Sequence, residues 1–310
     1  MPQLHYLRGR AVHDYVPDVG LQRRGYIYRL RQLWVEHGVG FDEVFAAFAR
    51  EDKLESLDTL VIGDWGQTPG ALAHVAGRLI DIAPRLMALR TLVFGDISPQ
   101  EQPLSTITHG DMTPLLDALP QLEYLRVRGG RGLRFKELTH RSLRELVIET
   151  TGMYPSTLED IVASSLGELA HLELWLGDEA GGWGGTMDDL QPLLHGYAYP
   201  KQAHPFPKLK RLGLRNAAEA DAIAHQLRGA SALKQLRMLD LSKGALTDAG
   251  AHALALNPML RSLDTLDLRS NFVTDEDLID RIRAVGVEVR WGNQKPLPGL
   301  GGAYYVDASD

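Results

Sequence analysis

A six-residue phrase, Leu-x-x-Leu-x-(Leu/Ile/Val/Phe), recurs along the chain and constrains the fold more than any other feature. Copies occupy Leu57–Ile62, Leu89–Phe94, Leu122–Val127, Leu143–Ile148, Leu169–Leu174, Leu209–Leu214, Leu236–Leu241 and Leu263–Leu268. Their starts lie 32, 33, 21, 26, 40, 27 and 27 residues apart, mostly near the period of about 20–29 residues of leucine-rich repeats. A unit that short cannot bury its own apolar face, whereas stacked units share one continuous core.

Within each copy the two later apolar positions are two residues apart, the period of a strand, so they point into the solenoid and the residues around them point out. Between copies, helical patterns run over 69–83, 112–119, 155–164, 188–195, 221–228, 248–256 and 275–284. The expected fold is therefore α/β: a leucine-rich-repeat horseshoe with a parallel concave sheet and convex helices, of about eight to ten repeats counting its caps. Asp221, Asp248 and Asp275 fall at the same place in successive repeats, and the pairs Thr247-Asp248 and Thr274-Asp275 suit helix N-caps. Asn271 sits where this repeat class often uses an Asn to bind neighbouring backbone. Gly244 holds that place one repeat earlier, so an incomplete Asn ladder is expected.

Terminal repeats need covers. Residues 1–56 suit an N-terminal cap, with an alternating run at Tyr26–Leu30 and an amphipathic helix from Phe41 to about Arg50. Residues 57–292 form the repeats and end in a closing strand at Val287–Trp291. Residues 293–310 are a tail or edge segment, and the whole is one structural domain. His5, Arg8, Arg10, His13 and Asp14 break any apolar run at the start, which excludes a secretory h-region, and no segment is apolar for long enough to span a membrane. A cytoplasmic protein is expected. With no Cys, disulfides, thiol nucleophiles and Cys-based zinc sites are excluded.

Several phrases outside the bare repeat resemble a family of bacterial cytosolic leucine-rich-repeat proteins of uncharacterised function and ribonuclease-inhibitor-like architecture. They are Leu60–Gly66, Gly95–Ile97, Asp111 with Pro114–Leu116, Arg126–Gly130 with Gly132-Leu133, Val147–Thr150 with Gly152, and Leu172–Gly177. Members are often encoded beside enzymes, so the resemblance implies a protein partner, an enzyme encoded nearby among the candidates.

No phosphate loop, zinc-protease, nucleophile-elbow, calcium-loop or dinucleotide motif occurs. No cofactor or metal site is expected, and Glu149, Glu173 and His171 match no catalytic constellation, so the chain reads as a non-enzyme. The concave columns are apolar early, at Val61 and Val93, and charged later. Trp175 among Glu149, Glu173, His171 and Arg215 has the aromatic-plus-Arg composition of an interface anchor if it is exposed; the alternative is that it packs beneath the following loop. Asp64 and Trp65 in one Gly-flanked loop, and Trp183 in the Gly-rich stretch 177–185, are candidates for closing from the rim, or for simple packing.

The expected function is a non-catalytic interaction scaffold whose partner meets Asp64, Trp65, Arg126, Arg128, Glu149, His171, Glu173, Trp175, Trp183, Arg215, Asp240, Asp267 and Arg269. The alternative is phosphate or RNA binding by segment 126–136, which holds five basic residues and no acid. A formal charge of −7 disfavours nucleic acid generally.

Overall fold

The computed structural model describes residues 3–22, 25–33, 37–66, 71–196, 204–299 and 302–308. Twelve strands form one sheet in chain order: β1 (Tyr6–Leu7), β2 (Arg10–Asp14), β3 (Ile27–Leu30), β4 (Thr59–Ile62), β5 (Thr91–Phe94), β6 (Tyr124–Arg128), β7 (Glu145–Glu149), β8 (His171–Gly177), β9 (Arg211–Ala217), β10 (Met238–Asp240), β11 (Thr265–Asp267) and β12 (Glu288–Arg290). Only the β1–β2 pair is antiparallel; each later pair is parallel. This is the leucine-rich-repeat solenoid that the phrase predicts. The sheet also runs unbroken through β2 and β3, so the cap contributes in-register strands of its own.

The repeated leucines set the register: Leu60 pairs with Leu92, Leu92 with Leu125, Leu125 with Leu146, Leu146 with Leu172 and Leu172 with Leu212. All are fully buried or nearly so. Behind them pack the helices α1 (Phe41–Phe48), α2 (Ala71–Ile82), α3 (Thr113–Ala118), α4 (Pro155–Ala163), α5 (Met187–His195), α6 (Ala220–Gln226), α7 (Asp248–Ala255) and α8 (Glu276–Arg283). Their inward faces, such as Leu158-Ile161-Val162 on α4 and Leu278-Ile279-Ile282 on α8, join the core. Helical spacing, which places residues three and four apart on one side, selects these residues. Each expected helix is found within a few residues of its predicted bounds; positions 69 and 70 of the first lie outside the described residues. Between β6 and β7 the described chain forms no helix, and isolated parallel bridges Thr108–Arg131, Asp111–Arg134 and Thr139–Ser165 replace one.

Asp275 caps its own helix, whereas Asp221 and Asp248 reach across to the next repeat. Asp221 accepts from the backbone and hydroxyl of Thr247 at 2.8 and 2.6 Å, and Asp248 accepts from those of Thr274 at 2.8 Å each. One repeat therefore caps the next. Asn271 accepts from Leu246 N–H and donates to the Leu241 and Leu268 carbonyls, the backbone-binding role expected of it. At or just past the strand ends lie residues of left-handed conformation: Gly95, Gly129 and Gly177 early, then Asn216, Lys243, Ser270 and Asn293.

Candidate functional site

Two regions of the concave face differ in chemistry and in cover. From β4 to β7, the outward residues Val61, Val93, Tyr124 and Val147 form a second, smaller apolar cluster with Ile27 and Leu7, and Leu4 and Val12 pack on it. Leu4 and Leu7 come from the first residues of the chain, which fold back over the sheet as a strap. The strap turns at Arg8 and Gly9, both left-handed. Leu4 N–H donates to Asp96 at 3.1 Å, Arg8 reaches Glu145 at 2.7 Å, and the Arg8 guanidinium lies 4.6 Å above the Tyr124 ring.

At one edge of the strap runs a buried line of alternating charge. Asp14 holds Arg29 and Arg31 at 2.7 and 2.9 Å; Arg29 reaches Asp96 at 2.9 Å; Arg128 lies 3.8 Å from Asp96 and 3.1 Å from Glu149; Arg126 meets Glu149 at 2.7 Å. Burial opposes the charge on Asp14, but Arg29 and Arg31 outweigh it and hold the carboxyl below its ordinary range. Burial likewise works against the Arg126 guanidinium, and Glu149 more than compensates. These ion pairs tie neighbouring strands to one another, while Arg126 Nε, Arg128 Nε and Glu149 Oε2 within the line make no hydrogen bond. Arg126, Arg128 and Glu149 are thus committed within the chain, and sequence patterning missed Asp14, Arg29, Arg31 and Asp96. Part of the signal was present: Asp14 in β2, and Arg29 in β3 with Arg31 two positions on, keep the strand period, whereas Asp96 follows β5.

From β8 to β12 the face is polar, and the strap does not reach across it. His171 lies 3.4 Å from Glu145 and 3.9 Å from Glu173. Glu145 is held below its ordinary range first by the His171 hydrogen bond, then, against burial, by Arg8. Glu173 accepts from the Trp175 indole and from Arg215, both at 2.8 Å. Arg215 also faces Asp240 at 3.4 Å; burial nonetheless pushes the Asp240 carboxyl above its usual range. Asp267 is fully buried and accepts three contacts from the Arg269 guanidinium. Arg211, Arg269, Glu288 and Arg290 are exposed, and His171, Glu173, Arg215 and Met238 partly so.

Trp175 is not an exposed anchor: it is 1% accessible. Arg215 sits 5.2 Å from its ring and Lys243 5.7 Å, cations covering a π face. Trp65 is buried against Phe94 and His109, and Asp64 is engaged by Gln32 and by the N–H of Gly66. Trp183 belongs to the core. The Gly-rich stretch around it is packed tightly, since a Cβ on Gly177 would lie 1.6 Å from the Thr151 carbonyl oxygen and one on Gly152 2.4 Å from Gly181. Glycine here permits the chain to approach its own backbone. The three tryptophan-loop residues are therefore packed from within.

The basic segment 126–136 is not one patch. Arg126 and Arg128 are paired on the concave side, while Arg134 pairs with Asp160 at 2.5 Å; Arg131 and Lys136 are its exposed cations. At the opposite end the tail docks. Lys295 donates to the carbonyls of Gly244 and Tyr305 at 2.8 and 2.9 Å, Asp307 pairs with Lys243 and Lys295 at 3.0 Å each, and the Asn216 amide exchanges two hydrogen bonds with Ala308 backbone. Among the described residues no cluster of three or more His, Cys, Asp or Glu is placed to hold a metal, and no helix is long and apolar enough to cross a membrane.

No protein-family model and no curated protein matches the chain. Among solved structures it is similar to a Bacteroides fragilis protein, at 26% identity and a TM-score of 0.79 over 89% of this chain and 76% of that one. Looser overlays, with TM-scores of 0.38 and 0.28 at 14% and 13% identity, are with a TLR13–ssRNA13 complex, over 87% of this chain and 36% of that one, and with an internalin from Listeria monocytogenes, over 88% and 86%. Neither of these two bears on function.

Proposed function

We propose that this chain is a non-catalytic scaffold that binds a protein partner through the open half of its concave face, β8–β12. The observation that carries this reading is the division of that face: the chain's own strap closes the apolar half and leaves the charged half uncovered. There His171, Arg211, Arg215, Arg269, Glu288 and Arg290 offer both signs of charge on a rigid parallel sheet, a surface suited to complementary recognition. Asp240, Asp267, Glu173 and Trp175 serve it from beneath by orienting Arg215 and Arg269. An enzyme encoded nearby, in the cytoplasm of a bacterium, is the partner implied by the family resemblance. Segment 126–136 has no uncommitted cluster of cations for RNA, so the protein-partner reading is preferred.

The test is co-purification with tagged wild type beside Arg211→Glu/Arg290→Glu, two exposed positions whose reversal leaves no buried acid unpaired. One protein recovered with wild type and lost with the variant supports the reading. The same set of proteins with both chains, at equal folded content, overturns it; retention of nucleic acid that falls steeply with salt would replace it with the RNA reading.

A further inference from the structure

The apolar half of the concave face is built as a groove, and its present occupant is the strap. Val61, Val93 and Val147 share one outward column of the sheet, with Arg126 between the last two, and Tyr124 stands beside them in the neighbouring column; the valine column carries Glu173, Gly213, Asp240 and Asp267 further along. An aliphatic row on this face needs a cover, and Leu4 and Leu7 supply it. The strap is on the outside of everything: Tyr6 is 70% exposed, and His5 and Arg8 are exposed as well. Its apolar side chains join the small concave cluster and contribute nothing to the main core. Departure of the strap breaks the two-residue β1–β2 pairing and the bond from Val12 N–H to the His5 carbonyl at 2.9 Å, but opens no repeat. Its fastenings resemble those of a bound peptide: a backbone N–H on the buried Asp96 carboxylate, a carbonyl facing Arg29 at 3.4 Å, and a half-exposed ion pair between Arg8 and Glu145. The docked turn also holds Arg8 at φ +50°, a conformation that resists retention.

We propose that this row is a second binding groove, for an extended segment of a protein partner with two aliphatic residues three apart and a basic residue directly after the second, and that residues 3–9 are the occupant such a segment displaces. The match is to the strap itself, Leu4-His5-Tyr6-Leu7-Arg8: the aliphatic pair covers the valines and Tyr124, Glu145 receives the cation, and Asp96 takes a backbone N–H. This deepens the concave-face reading and rests on it.

Because the chain has no Cys, Tyr6→Cys gives one labelling site on the strap of the full-length protein. A synthetic peptide of residues 3–12 is titrated against the dye-labelled chain. Saturable displacement is expected, seen as a fall in dye anisotropy, with no response to a peptide carrying serine at both leucine positions. Leu4→Ser/Leu7→Ser in the full chain weakens the resident occupant, so that variant should bind the wild-type peptide at least about tenfold more tightly than the wild-type chain does, since a closed groove lowers apparent affinity by its closed fraction. Absence of displacement by millimolar peptide, or equal displacement by the serine peptide, overturns the proposal even if the double variant fails to fold. The Arg211/Arg290 co-purification reads the other half of the face, so the two readings fail separately.

Discussion

His109 makes the stability of the N-terminal repeats depend on pH. Its ring lies behind Gly129, where Nε2 donates to the Arg128 carbonyl at 2.7 Å and Nδ1 is buried without a partner. Burial pushes the imidazole from its ordinary 6.5 down to about 4, more strongly than the Arg128 hydrogen bond raises it. The folded chain therefore stays neutral at His109 over a range in which the unfolded chain takes up a proton. Stability from this group is complete above pH 6.5, falls as pH drops toward 4, and changes no further below that. Between pH 7.5 and 5.0 those two values imply a loss of about 2 kcal/mol. His140 and His204 are also pushed down by burial and act with the same sign, so a single variant must isolate the effect. His109→Gln places an amide nitrogen near Nε2 and keeps the bond to Arg128 without a titrating group. Urea unfolding followed by circular dichroism at the two pH values should show wild type losing about 2 kcal/mol more than the variant. Equal losses in both chains would refute the reasoning, because a neutral buried imidazole could not then be what the acid-side decline reflects.

Three further outcomes are expected. Trp175→Ala removes a fully buried ring and should cost about 3–5 kcal/mol of stability in thermal unfolding, whereas Arg211→Glu should stay within about 0.5 kcal/mol of wild type; a Trp175 variant of native stability would contradict the packing described. Gly177→Ala puts a Cβ into the Thr151 carbonyl at φ +74°, so the Gly152–Gly177 bridge should open and hydrogen exchange in 150–153 and 177–183 should rise at least about tenfold; unchanged protection would count against the close approach. Asp307→Ala takes the carboxylate from Lys243 and Lys295, and limited proteolysis should then cut at Tyr304-Tyr305 several times faster; an unchanged cleavage rate would mean the tail is held by other contacts.

Much of the scaffold is legible in the sequence because its determinants are periodic. The spacing of Leu60 and Ile62 or Leu239 and Leu241 fixes strand and facing, and Asp248 and Asp275 mark the helix starts. What a period of two reports is which side of the sheet a residue faces; it says nothing of what lies on that side. Val61 and Val93 read as an apolar stretch of the concave surface, but their cover comes from Leu4 and Leu7, more than fifty positions away in the chain. Trp175 fails for a related reason: its burial depends on Arg215 and Lys243 arriving from two later repeats. Trp183 illustrates a third limit, since a run of glycines reads as loose chain although here Gly177 and Gly181 make room for neighbouring backbone and Gly185 for the Trp183 ring. Charge composition misled most in segment 126–136, where five cations adjacent in sequence are distributed between two faces of the solenoid.

The left-handed residues at or just past the strand ends divide the arc in a further way. Glycine at Gly95, Gly129 and Gly177 takes that conformation freely, while an ordinary L-residue adopts it at roughly 1–2 kcal/mol. The repeats carrying Lys243 and Ser270 accept this strain, those carrying Asn216 and Asn293 less of it because Asn tolerates the conformation, and all four gain side chains along the rim. Asn216 and Lys243 grip the tail, and Lys243, Ser270 and Asn293 line a cavity of about 240 Å³ with Arg215, Ser242 and Arg269. Backbone strain is retained where its surroundings over-determine it and gathers at working sites. Left-handed residues with side chains thus recur in four successive repeats, from Asn216 to Asn293, and this row marks the rim beside the tail and the cavity independently of charge.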